Sequence, residues 1–180
     1  MSDIKDIQDI RNLTRTVLDF PIKGIPFLDI LPIFQNPKAV EFIINNIVDH
    51  VTSTKEKIDV VVGLEARGFL FGPILALRLN AAFVPIRKKG KLPGKVIDVE
   101  YQKEYGPDIF EIQEDAIKQD QNVIVIDDLM ATGGTAVAAG KLVNKLGGKL
   151  LEYIFVVELT VFDGYKKLDA PLYSVLKYDT

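Results

Sequence analysis

Apolar positions recur along this chain with two different periods, and the switches between them mark out its elements. Ile4, Ile7, Ile10, Leu13 and Val17 fall at helical spacing behind Ser2 and predict an amphipathic first helix. The prolines and glycine of FPIKGIPF break it. Asn36-Pro37 then opens a second helix with Val40, Ile43, Ile44, Ile47 and Val51 on its apolar side, since proline suits a first helical turn that needs no amide. The valine run of IDVVVG, residues 58–63, predicts a buried parallel strand. A turn, a helix over residues 69–79 and the strand AFVPI, residues 82–86, follow. VIVID, a helix over residues 135–146, LLEYIFVVEL and LYSVLKY continue the alternation to the end.

Residues 95–113 read differently. Ile97, Val99 and Tyr101 alternate with Asp98, Glu100 and Gln102, and Phe110 and Ile112 alternate with Glu111 and Gln113. With the turn-like KEYGPD between them, this predicts an antiparallel ribbon with one solvated face. Inserted between parallel strands, it projects as an arm or lid. The whole pattern predicts one α/β domain over residues 1–180: an open, mostly parallel sheet of about five strands flanked by helices. The ribbon at about 95–113 and a small N-terminal cap at about 1–34 are added to it.

Composition narrows the class. An apolar content of 48% argues for a folded core, and a net charge of −3 gives no general attraction to nucleic acid or anionic membranes. The absence of cysteine suits a reducing compartment. The charged start, MSDIKDIQDIR, is no signal-peptide core, and the apolar run at 69–77 is too short to span a bilayer. A soluble, cytoplasmic protein without nucleic-acid or membrane partners is the expectation. The lack of cysteine and a single histidine, His50, in a helical pattern argue against a zinc site, and His50 reads as a surface or boundary side chain.

The chemistry concentrates in VIVIDDLMATGGT, residues 123–135. Four β-branched residues lead into adjacent carboxylates, Asp127 and Asp128, at the end of a strand, where open α/β sheets bind ligands. Amides of Ala131, Thr132, Gly133, Gly134 and Thr135 would converge on a phosphate at the helix start, where roughly half a positive charge is concentrated. The two threonines add hydroxyl donors, and the two aspartates can accept bonds from vicinal sugar hydroxyls. TGGT alone is compatible with a tight βα connection; the acidic pair, whose members repel each other, points to a ligand. Other phosphate motifs fail: GTAVAAGK is one residue too long for a Walker A loop, and no G-x-G-x-x-G follows a predicted strand.

This segment resembles the phosphoribosyl-diphosphate (PRPP) motif of the type I phosphoribosyltransferases, and other stretches are similar to the adenine-specific members in the same order. GLEARGFLFGP, residues 63–73, resembles their pyrophosphate loop, in which a cis peptide would join Glu65 to Ala66. Arg67 and the amides near Gly68 can grip an anion there in their own right. RKKGKLPG puts Arg87, Lys88 and Lys91 at the ligand end of the sheet as counter-charge for pyrophosphate, although a short basic run can also be a solvated face. EYG at 104–106 resembles the family's catalytic loop, which makes Glu104 the group that handles a purine proton. FPIKGIPFLDI resembles the adenine-binding hood, with Pro26 and Leu28 at base-reading positions, and the resemblance adds Leu129 and Leu159 to the base pocket. Ala66 and Leu28 stand where the family often has serine and arginine.

The resemblance implies AMP synthesis from adenine and PRPP, with Glu104 and Arg67 as catalytic groups, Mg²⁺ carried mainly by the substrate rather than by protein ligands, and a homodimer. A transferase for another base and a non-catalytic PRPP sensor are the alternatives.

Overall fold

The computed structural model describes residues 3–24, 26–103 and 106–179, so the expected catalytic Glu104 lies outside the described residues. The chain forms two compact units, Met1–Asn46 and Ile47–Thr180.

In the first unit, helix α1 (Ile7–Leu13) begins at Asp6, whose carboxylate accepts the Gln8 and Asp9 amides at 2.8 and 3.1 Å. The apolar spacing predicted a helix running through Val17, but the backbone becomes extended at Thr14. Strand β1 (Arg15–Val17) pairs antiparallel with β2 (Phe27–Asp29), and Arg15 Nε meets Asp29 Oδ2 at 2.8 Å. Thr14, Thr16 and Val17 are β-branched, so their restricted side chains favour the strand once a partner exists. Helix α2 (Pro37–Ser53), whose residues from Ile47 on belong to the second unit, starts where predicted, with Asn36 Oδ1 accepting the Lys38 amide at 3.2 Å. Ile43, Ile44, Ile47 and Val51 are buried along it.

The second unit is built on strands β3 (Val60–Leu64), β4 (Ala82–Lys88), β5 (Val96–Lys103), β6 (Gly106–Gln113), β7 (Asn122–Met130), β8 (Lys149–Leu159) and β9 (Leu172–Tyr178). Helix α3 (Gly72–Leu79) joins β3 to β4, and α4 (Gly134–Lys145) joins β7 to β8. The sheet order is β5-β6-β4-β3-β7-β8-β9, and β4, β3, β7, β8 and β9 run parallel. The five-strand parallel sheet expected from the alternation is therefore present, and the ribbon lengthens it to seven strands. The ribbon's base pairs with β4 at Arg87↔Glu111 and Lys88↔Phe110, and just beyond β4 Lys89 N–H donates to Ile109 O at 3.1 Å.

Alternate residues of the parallel strands, such as Val60, Val62, Val123, Val125, Tyr153 and Phe155, pack with Ala138, Ala139, Leu142 and Val143 of α4 in one core. Val61, Ile124, Ile126 and Ile154 are equally buried on the other face. That double burial explains why these strands read as continuous apolar runs. Parallel strands also end on the same side, which gathers the ends of β3, β4, β7 and β8 into one zone. No helix among the described residues is long and apolar enough to cross a membrane.

Candidate active site

The end of β7 carries the two carboxylates inward. Asp127 and Asp128 are 9% and 4% exposed, and Asp128 N–H donates to Asp127 Oδ1 at 2.9 Å. Asp128 Oδ2 lies 2.7 Å from Arg67 Nε, an ion pair at short range without the alignment of a hydrogen bond. Burial pushes the pKa of both aspartates up. For Asp127 the Asp128 charge adds to the rise; for Asp128 the Arg67 guanidinium works against it. Two adjacent buried acids share one nearby cation.

Arg67 reaches them because the turn after β3 lies against β7. A Cβ on Gly68 would stand 2.7 Å from Ile126 O and 3.1 Å from Asp127 Oδ1, so only glycine lets the two backbones approach this closely. The Glu65–Ala66 peptide is cis, as the resemblance implied. Ala66 is exposed and Arg67 half-buried.

Glu65 receives a fork from Arg87, Nη2 to Oε1 at 3.0 Å and Nε to Oε2 at 3.2 Å, and also accepts the Lys88 amide at 3.0 Å. Burial opposes ionisation of Glu65, but these donors outweigh it and hold its carboxyl below the usual value. Arg87 Nη1 also donates to the Lys91 carbonyl at 3.0 Å, which closes the loop after β4. The Lys88 ammonium is exposed and stands 3.5 Å from Asp108 Oδ2 on the ribbon. Lys91 is exposed and acts on Glu65 through space. Arg87, Lys88 and Lys91 are thus brought beside Glu65.

The turn after β7 passes through Ala131, Thr132 and Gly133 and enters α4 at Gly134. Gly133 is left-handed (φ 82°), and no side chain caps the helix. The first amides of an α-helix have no partner within it, so this uncapped start suits an anion. Thr132 and Thr135 are half-buried beside it. Leu129 and Leu159 are half-buried near the ends of β7 and β8. Pro26 and Leu28 lie in the first unit, Pro26 exposed and Leu28 half-buried on β2.

Residues 30–179 match the phosphoribosyl transferase domain. The chain is 58% identical over 170 residues to the adenine phosphoribosyltransferase of Yarrowia lipolytica, covering 93% of each. It belongs to the adenine phosphoribosyltransferase family.

Identity to the Caenorhabditis elegans member is 54%, over 92% of this chain and 90% of the relative. The crystal structure of the Saccharomyces cerevisiae member, complexed with D-2,5-dideoxy-2,5-imino-altritol 1,6-bisphosphate and adenine, superposes with a TM-score of 0.92 at 49% identity. It covers 94% of this chain and 98% of that one.

Residues 160–167 also reach the site. Lys167 Nζ donates to the Thr132 carbonyl at 2.8 Å, and Gly164 lies directly against Ala131 and Gly133 of the TGGT turn. A lysine and a glycine 35 and 31 positions downstream give no local signal of that contact. His50 is a structural boundary residue, its Nε2 2.9 Å from both Glu152 oxygens and its ring stacked on Tyr173 at 3.6 Å. Among the described residues no group of three or more His, Cys, Asp or Glu side chains converges to hold a metal.

Proposed function

We propose that the protein transfers the 5-phosphoribosyl group of PRPP to N9 of adenine, giving AMP and pyrophosphate in purine salvage. One observation carries this reading: two buried carboxylates with raised pKa at the end of β7 run directly into an uncapped, glycine-containing helix start. Ribose hydroxyls suit the first feature and a 5′-phosphate suits the second.

In the reaction, departure of pyrophosphate leaves oxocarbenium-like positive charge on ribose C1 and O4. Asp127 and Asp128, bound to the ribose hydroxyls, sit in a low-dielectric setting where their charges are poorly compensated. A developing cation beside them restores that compensation in the transition state more than in the ground state, which is how electrostatic catalysis works. Ala131, Thr132, Gly133, Gly134 and Thr135 hold the 5′-phosphate and fix C1 for attack by adenine.

Negative charge builds on the leaving pyrophosphate, met by Arg67, Arg87, Lys88 and Lys91 with the amides of the 65–68 turn. Magnesium would enter as part of the PRPP substrate, where it would neutralise part of the diphosphate charge. The donor set fits that assignment, because Asp128 is engaged by Arg67, Glu65 by Arg87, and hard Mg²⁺ prefers phosphate oxygens and water over such occupied carboxylates. Glu104, between β5 and β6 in the sequence, handles the purine proton, and ribbon closure keeps water from PRPP. Adenine binding is assigned to Leu129 and Leu159 and, on the family resemblance, to Pro26 and Leu28. We place this enzyme in the cytoplasm as a homodimer.

The test is formation of AMP and pyrophosphate from PRPP and Mg²⁺ with adenine, run in parallel with hypoxanthine and guanine. Product with adenine alone is expected. Turnover of another base would change the substrate, and PRPP binding without turnover would make the chain a sensor.

A further inference from the structure

Residues 160–167, between β8 and β9, press against the TGGT turn more closely than side chains allow. A Cβ on Gly164 would touch the Ala131 carbonyl oxygen and lie 3.0 Å from Gly133 N. A Cβ on Gly133 would meet Gly164 O at 2.7 Å. The two backbones therefore meet with nothing between them. From this close-packed turn Lys167 reaches back, and its ammonium donates to Thr132 O at 2.8 Å. Lys167 also lines, with Gly134, Val137 and Lys141, a cavity of about 360 Å³ beside the start of α4.

The bonded carbonyl belongs to the peptide joining Thr132 to Gly133. In a trans peptide the N–H lies antiparallel to the C=O, so the Gly133 amide faces away from the lysine. Glycine tolerates both orientations of the peptide before it, because positive and negative φ cost it about the same. Nothing in the local sequence therefore selects which edge of this peptide, donor or acceptor, faces the bound phosphate. A cation on the carbonyl does select, because flipping the peptide would forfeit a charge-assisted bond. It also polarises the peptide, which strengthens the Gly133 amide as a donor.

We propose that Lys167 is a positioning residue for the 5′-phosphate. It locks the Thr132–Gly133 peptide with its amide available to the anion, and it adds positive charge beneath the loop. This rests on the phosphoribosyl-transfer reading above. The substrates separate the two, because PRPP and AMP carry the 5′-phosphate and adenine and pyrophosphate do not.

Steady-state kinetics in both directions on the wild type, Lys167→Met and Lys167→Arg make the test, with a thermal melt of each. The wild type must turn over adenine and PRPP; if it does not, the functional reading itself falls. Given turnover, Lys167→Met should raise KM for PRPP and for AMP by roughly tenfold, the low end of the worth of a charged hydrogen bond, since the lysine is exposed. KM for adenine and for pyrophosphate should stay unchanged, and Lys167→Arg, which can still donate, should recover most of the loss. An unchanged KM for PRPP and AMP overturns the proposal. So does an equal loss for all four substrates together with a lowered melting midpoint, which marks a structural role alone.

Discussion

Replacing Asp127 with asparagine should stabilise the protein while disabling it. Asp127 is buried, Asp128 stands beside it with like charge, and the nearest guanidinium, Arg67, is engaged by Asp128 at 2.7 Å. Burial first, and the Asp128 charge second, raise its pKa well above 3.8. The folded chain therefore holds the Asp127 proton more tightly than the unfolded chain. Stability falls as pH rises from the unfolded pKa towards the folded one, at up to about 1.4 kcal/mol per pH unit, and the full cost is present above the folded pKa. Asparagine keeps the oxygen that accepts the Asp128 amide at 2.9 Å and removes the charge. The expected gain near neutral pH is about 1.4 kcal/mol for each pH unit by which the folded pKa exceeds the unfolded one. For a 180-residue chain, each kcal/mol moves the melting midpoint by about 2–4 °C. Circular-dichroism melts of both proteins from about pH 7.5 to about pH 4 should show the variant ahead at the upper end, with the gap closing on acidification. Turnover should fall about 10–100-fold with loss of a charged acceptor for the ribose. A variant that melts below the wild type near neutral pH, or a gap that ignores pH, would refute the reasoning.

Other substitutions test the surrounding parts. Gly68→Ala would set a Cβ 2.7 Å from Ile126 O, a backbone atom that cannot swing away, so urea unfolding should show a loss of about 1–3 kcal/mol and KM for PRPP should rise. Glu65→Gln should cost about 1 kcal/mol or less, since Arg87 is a third exposed. Because the Glu65 pKa is lowered from 4.5, that difference should be present above 4.5 and vanish as pH falls through the folded value; a difference that persists in acid counts against the pair. Glu104→Gln should lower kcat far more than substrate affinity, and a pure affinity loss would make Glu104 a positioning group. Chelating Mg²⁺ should abolish turnover reversibly and leave the melting midpoint of the substrate-free protein unmoved; a lowered midpoint would indicate a metal held by the protein alone.

What the sequence made legible follows from how local each signal is. The run from Val123 to Thr135 states its strand, its acids and its turn within consecutive residues, and the fold places them accordingly. Strand alternation gave the ribbon for the same reason, although its attachment to β4 through Arg87 and Lys88 depends on residues more than twenty positions apart. The fork between Arg87 and Glu65, the approach of Gly68 to Ile126, and the contact of Lys167 with Thr132 are products of the parallel crossover connections, and no short window contains both partners. Arg67 was read as an anion grip, and in the folded chain its Nε rests on Asp128. The first helix was overdrawn because Val17 keeps the helical spacing by coincidence while its neighbours Thr14 and Thr16 favour extension.

The acids of this zone are compensated to different degrees. Glu65 has a guanidinium fork and a backbone amide, and its pKa is lowered. Asp128 has one guanidinium at ion-pair distance, which tempers a rise that burial still wins. Asp127 accepts a backbone amide, has a like-charged neighbour and feels Arg67 only through space, and its pKa rises most plainly. A carboxylate kept only for architecture would be paired as Glu65 is, since a buried charge without a partner is among the costlier defects a fold can carry. Persistence of that cost at Asp127 fits a group whose partner arrives from outside. On the proposed reaction that partner is the ribose, bound first through its hydroxyls and then carrying positive charge as pyrophosphate leaves. Asp127, which Arg67 reaches only through space while pairing with Asp128, is the acid of this zone to whose charge the reaction adds a partner.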